Sequence, residues 1–120
     1  YSTPPAHGGH LVETVLLAPV LRAMWEYEVT EMRERIHAMR GRLYDGLVQH
    51  HPDYDWSFLL AQSGMFSYAP ALAAHMDRLI QAHGVYIIES GRICIAGLND
   101  QNVDRVAKAF ASVLKEASAV

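Results

Sequence analysis

Leu21, Trp25, Val29, Met32, Ile36, Met39, Leu43 and Leu47 are separated by 4, 4, 3, 4, 3, 4 and 4 positions, the repeat of one face of an α-helix. Glu28, Glu31, Arg35 and Arg42 fall on the opposite side. The pattern predicts a helix over residues 20–49, about 45 Å long at 1.5 Å per residue. A domain of this size cannot wrap so long a helix, so it is expected to lean on something outside the domain, or to bend. Pro52 ends it, because the residue before a proline is pushed out of helical geometry.

Shorter patterns flank this helix. Residues 1–9, with Pro4, Pro5, Gly8 and Gly9, read as a loop, and residues 10–17 as a short helix that stops before Pro19. Beyond Pro52, residues 56–61 and 65–68 read as two strands joined by Gln62-Ser63-Gly64 as a hairpin. Pro70 suits the first turn of a helix running to about His83, with Leu72, Met76, Leu79 and Ile80 inward and Gly84 as its C-terminal stop. Residues 85–88 and 92–96 read as two further strands around Glu89-Ser90-Gly91. Asn99 or Asp100 caps a last helix whose apolar face is Val103, Val106, Phe110, Val113 and Leu114. The order predicts an α+β fold with a small, mainly antiparallel sheet backed by helices.

The size of the chain, 120 residues and 13.4 kDa, fits one domain with a real core. It is 51% hydrophobic and 19% charged, unlike a disordered chain. Ten Lys+Arg stand against thirteen Asp+Glu, a formal charge of -3, so no basic footprint points to nucleic acid. No membrane span is expected, since the longest apolar stretch, residues 15–21, contains Pro19 and is far short of the ~20 residues a bilayer needs. The lone Cys94 excludes an internal disulfide and a cysteine-built zinc site, and is compatible with a reducing cytoplasm, where the protein is expected. Between two isoleucines, Cys94 reads as an inert buried thiol. The chain begins at Tyr1 rather than Met, so it is expected to be a trimmed or partial chain.

Few residues suggest chemistry on their own. Arg92 follows the small pair Ser90-Gly91 and starts an apolar strand. Its guanidinium matches a carboxylate bidentately, but it also fits a strand-end arginine in solvent or paired with Asp or Glu. Phe66 and Tyr68 share one face of a predicted strand, as pocket wall or as core packing. Seven histidines are present, without the spacing or acidic company of a metal site, and none is expected to hold a metal. Phosphate loop, nucleophile elbow and dinucleotide fingerprint are all absent.

Three separated stretches, Tyr1-Ser-Thr-Pro-Pro-Ala-His-Gly8, Gly64-Met-Phe-Ser67 and Ser90-Gly-Arg-Ile-Cys-Ile-Ala-Gly97, occur in the order and at the intervals of a known family. With the long helix carrying Trp25-Glu26 and Met32-Arg33, essentially the whole chain resembles the C-terminal small-domain segment of aspartate and aromatic-amino-acid aminotransferases, fold-type I pyridoxal-phosphate enzymes. The resemblance implies that residues 1–120 form that small domain: an opening loop and short helix over 1–19, a long interdomain helix over 20–50 and an α+β core over 56–120. It implies amino-acid and 2-oxo-acid substrates, a homodimer, and Arg92 as the residue that binds the substrate α-carboxylate. Phe66 would line the pocket near it. Ser2 and Thr3 would lie in a loop that approaches the neighbouring subunit's active site. At Thr3 aspartate-specific members usually carry Asn and aromatic-active ones Ser, and the hydroxyl leans toward the aromatic branch. The family's cofactor-bonding lysine sits in a Ser-x-x-Lys context that neither Lys108 nor Lys115 has. The segment is therefore expected to hold no catalytic or cofactor-binding residue and to be inactive alone. The alternative is a non-catalytic module that binds a small carboxylate or amino acid at Arg92.

Overall fold

The computed structural model describes residues 6–118. Helices α1 (Ala6–Leu17) and α2 (Pro19–His50) are separated only at Ala18. Ala18 N–H still donates to Thr14 O at 3.2 Å, and Arg22 N–H to Ala18 O at 2.8 Å. Pro19 has no N–H to offer, and it stands at the first position of α2, where that donor would be unpaired anyway. Gly8 and Gly9, expected in a loop, instead belong to the start of α1. The long helix forms as its apolar stripe predicts.

The chain divides into two compact units within α2, after Glu34. In the first unit no residue of α1 is buried, and Leu21, Trp25, Val29 and Met32 of the apolar stripe are all exposed. In the second unit the same stripe continues as Met39, Leu43 and Leu47, all buried. They join Trp56, Leu59, Leu72, Leu79, Ile95 and Phe110 in one hydrophobic core. A methyl group on Gly46 would come within 2.7 Å of Ala107 Cβ, which shows how closely α2 approaches the closing helix α6 (Val103–Ser118).

Between these helices the chain departs from expectation in three places. Residues 56–61, predicted as a strand, turn instead into the short helix α3 (Phe58–Ala61). Trp56 Nε1 donates to His51 O at 3.0 Å, Asp55 Oδ1 accepts from Ser57 N at 3.0 Å, and Leu59 N donates to Trp56 O at 3.1 Å. Local bonds thus satisfy this run, and its two buried residues, Trp56 and Leu59, stand three apart rather than alternating. The predicted helix from Pro70 is interrupted at Ala74 and His75, giving α4 (Pro70–Ala73) and α5 (Met76–His83). Gly84 ends α5 as expected, at φ 64°, with its N–H on Ile80 O at 3.0 Å. Residues 85–88 pair with no strand; Ile88 N reaches Arg92 O at 3.4 Å and a tight turn follows.

The sheet is therefore two-stranded, β1 (Phe66–Tyr68) antiparallel to β2 (Arg92–Cys94), and neither expected hairpin forms. The fold is mostly helical, with this ribbon as its β part. Phe66 faces Cys94, Ser67 faces Ile93 and Tyr68 faces Arg92. Ser67 and Ile93 point into the core, leaving Phe66, Tyr68, Arg92 and Cys94 on the outer face. A 3₁₀ turn, Ile95–Gly97, ends β2. Asn99 caps the approach to α6, its Oδ1 accepting from Gln101 N at 2.8 Å and Asn102 N at 2.9 Å.

Candidate functional site

The outer face of the ribbon brings Arg92 and Phe66 together. They are diagonal neighbours across the β1–β2 register, and the guanidinium carbon of Arg92 stands 4.8 Å from the centroid of the Phe66 ring. A cation over an aromatic face is attracted by the ring quadrupole, by about 0.5–1 kcal/mol where solvent reaches it. Among the described residues no carboxylate pairs with Arg92. The ring therefore orients the guanidinium while its donors stay available.

Two backbone devices fix this pair. Gly91, at φ 87°, accepts from Ala69 N at 2.9 Å and donates to Ile88 O at 2.8 Å. A Cβ there would meet Ala69 O at 2.5 Å, so only glycine lets the chain turn this close before Arg92. On the other strand the Gln62 side chain stands in for a third strand, accepting from Tyr68 N at 2.8 Å and donating to Tyr68 O at 3.0 Å. The small residues flanking Arg92 thus serve a turn, as the sequence suggested.

Gln62, Ser63, Phe66, Tyr68, Ser90 and Arg92 border an open depression of about 470 Å³. It offers the Arg92 guanidinium, aromatic surface and small polar groups, a set suited to a small organic anion carrying an apolar or polar tail. A second depression of about 550 Å³, also bordered by Arg92, lies against Ile87, Cys94, Leu98, Arg105 and Phe110. Cys94 lines it and is exposed, not buried as expected, because it falls on the outward register of a short strand. Ser2 and Thr3 lie outside the described residues. No His, Cys, Asp or Glu cluster among the described residues could hold a metal ion. Lys108 and Lys115 are exposed on α6, and neither borders the depression.

Arg40 was not singled out by its sequence pattern, yet it is the charged side chain most deeply set behind the site, at 3% exposure. Its Nη1 donates to Ser67 Oγ and to Leu59 O at 3.3 Å, and its Nη2 to Gly64 O at 2.5 Å and Phe66 O at 3.5 Å. Burial lowers its pKa below the usual arginine value. A signal was present: position 40 is four after Ile36 and three before Leu43, inside the apolar stripe where a charge is unexpected.

Residues 1–110 match the family model for aminotransferase class I and II. The chain is 52% identical over 114 residues to the aromatic-amino-acid aminotransferase of Escherichia coli (strain K12), covering 95% of this chain and 29% of that protein. It is 45% identical, with the same coverage, to the aspartate aminotransferase of Pseudomonas aeruginosa. Among solved structures it resembles the aromatic-amino-acid aminotransferase of Burkholderia pseudomallei covalently bound to pyridoxal phosphate, at TM-score 0.87 and 50% identity, over 95% of this chain and 29% of that one. The cytoplasmic aspartate aminotransferase of Saccharomyces cerevisiae matches at TM-score 0.87 and 39% identity, over 96% and 28%. The chain thus spans less than a third of the length of these relatives.

Proposed function

The chain belongs to the class I and II aminotransferases, and we propose that it is the C-terminal small-domain segment of a pyridoxal-phosphate enzyme that moves an amino group between an aromatic or dicarboxylic amino acid and a 2-oxo acid. In this reading residues 1–19 open the segment, 20–50 form the interdomain helix and 56–120 the core. In this reading the whole enzyme is a cytoplasmic homodimer.

One observation carries the reading: an arginine with no carboxylate partner among the described residues, held against an aromatic ring at a glycine-fixed turn. Arg92 presents parallel N–H groups to both oxygens of an α-carboxylate. Phe66 holds the guanidinium plane and gives the substrate an apolar wall. Fixing the carboxylate orients the rest of the amino acid, and domain closure over it excludes water. Neither Lys108 nor Lys115 borders the depression, and in this reading neither bonds pyridoxal phosphate. That cofactor is assigned to the remainder of the protein, where it supplies the electron sink for amino-group transfer.

Arg92→Leu in the full-length enzyme is the direct test. It is expected to raise the amino-acid KM and lower kcat/KM by about a hundredfold or more, since an organised charge pair is lost. Near-normal kinetics in that variant would overturn the assignment. The non-catalytic alternative predicts that the 120-residue chain binds amino acids equally with and without pyridoxal phosphate.

A further inference from the structure

The second half of α2 reaches the ribbon through guanidinium groups as well as apolar contacts. Arg35 donates to Leu98 O at 2.6 Å and to Ala96 O at 3.4 Å, just beyond β2. Arg40 donates to Gly64 O, Phe66 O and the buried Ser67 hydroxyl, at the start of and along β1. All four acceptors of Arg40 are neutral, and no carboxylate among the described residues pairs with it. Burying a cation without a counter-ion is unfavourable, and an apolar side chain of similar volume commonly serves stability as well. What such a side chain cannot do is fix two carbonyls and a hydroxyl over four consecutive residues. Those residues include Phe66, whose ring lies on the opposite face of β1 under Arg92.

We propose that Arg40 is a positioning residue for substrate recognition: through Ser67 and the β1 backbone it sets the Phe66 ring, and so holds Arg92 where it meets the substrate carboxylate. The proposal rests on the reading of Arg92 given above, and it adds a residue on the far side of the sheet to that site.

The test uses the full-length enzyme and two inert carboxylates, succinate and 3-phenylpropanoate, as competitive ligands. Arg40→Gln removes the clamp; Ser67→Ala removes only its buried side-chain acceptor and carries the test should Arg40→Gln fail to fold. Each variant is expected to raise the Kd of whichever carboxylate the wild type binds, and the amino-acid KM, by about fivefold, with a smaller change in kcat at saturation. In an Arg92→Leu background, Ser67→Ala is expected to add less than about twofold, because the residue it acts through is gone. A lowered Tm with unchanged Kd and KM would make Arg40 purely structural and overturn the proposal. Equal effects with and without Arg92 would also overturn it. If Arg92→Leu alone leaves carboxylate affinity intact, the parent reading fails, and this one with it.

Discussion

Gly91 and Gly84 both sit at positive φ, but their surroundings differ. At Gly84 a Cβ meets nothing within 4 Å, so Gly84→Ala meets only the left-handed backbone penalty, about 1–2 kcal/mol. At Gly91 the Cβ meets Ala69 O at 2.5 Å and Pro70 Cα at 3.1 Å, backbone atoms that cannot swing aside. Adding an overpacking cost to the left-handed penalty gives about 2–5 kcal/mol for Gly91→Ala. Thermal unfolding should therefore rank Gly91→Ala well below Gly84→Ala. Carboxylate affinity should fall only for Gly91→Ala, whose turn delivers Arg92. Equal Tm losses would show that the backbone at Gly91 yields. At this scale the family motifs were informative, since the resemblance put Phe66 near Arg92, whereas alternation gave only the shared face of Phe66 and Tyr68 and left open whether that face was pocket wall or core; the register sets it outward. The sequence was silent on Arg40 as long as charges were read by type and not by their position on a helix.

Helix α2 carries two interior glycines with opposite roles. A methyl group on Gly41 meets nothing within 4 Å, so Gly41→Ala should stabilise by about 0.8–1 kcal/mol through helix propensity. On Gly46 the methyl would lie 2.7 Å from Ala107 Cβ, and overpacking of about 1–3 kcal/mol should cancel or exceed that gain. The expected result is a raised Tm for Gly41→Ala and an unchanged or lowered Tm for Gly46→Ala; a rise for both would mean that α2 and α6 separate readily. The element scale also shows where sequence reading stopped. The extent of α2 was legible because its period persists over eight apolar positions. The pairing of β1 with β2 was not, because alternation tells which side of a strand faces inward and nothing about its partner. The partner strand begins 24 residues after Tyr68. Trp56 and Leu59 were misread as strand residues because a short apolar run fits a strand or a buried turn of helix equally well.

For the whole molecule, the contrast between the two ends of α2 matters most. From Met39 onward its stripe is buried, whereas Leu21, Trp25 and Met32 are exposed, as are Leu11, Val12 and Leu16 of α1. Leu11, Val12, Leu16 and Trp25 border an apolar hollow of about 370 Å³ within the first unit. Uncovered apolar area of this kind drives association. The 120-residue chain alone is expected to bind a hydrophobic dye and to associate beyond a dimer, while the proposed whole enzyme, with its further residues folded, should leave the dye unbound and stop at the dimer. A chain that stays monomeric and dye-free would contradict the small-domain assignment. No helix among the described residues is long and apolar enough to cross a membrane.

The neutral partners of Arg40 have a consequence in terms of ionic strength. Arg42 pairs with Asp104 at the start of α6 and with Asp100 in the turn before it, and Arg78 pairs with Glu116 near its far end, all partly or largely exposed. Mobile ions screen such pairs over about 10 Å at 0.1 M salt and about 3 Å at 1 M. The Arg40 contacts are charge–dipole bonds at 3% exposure, where counter-ions do not enter. Rising salt therefore weakens the ion pairs along the closing helix before it weakens the Arg40 contacts behind Phe66 and Arg92.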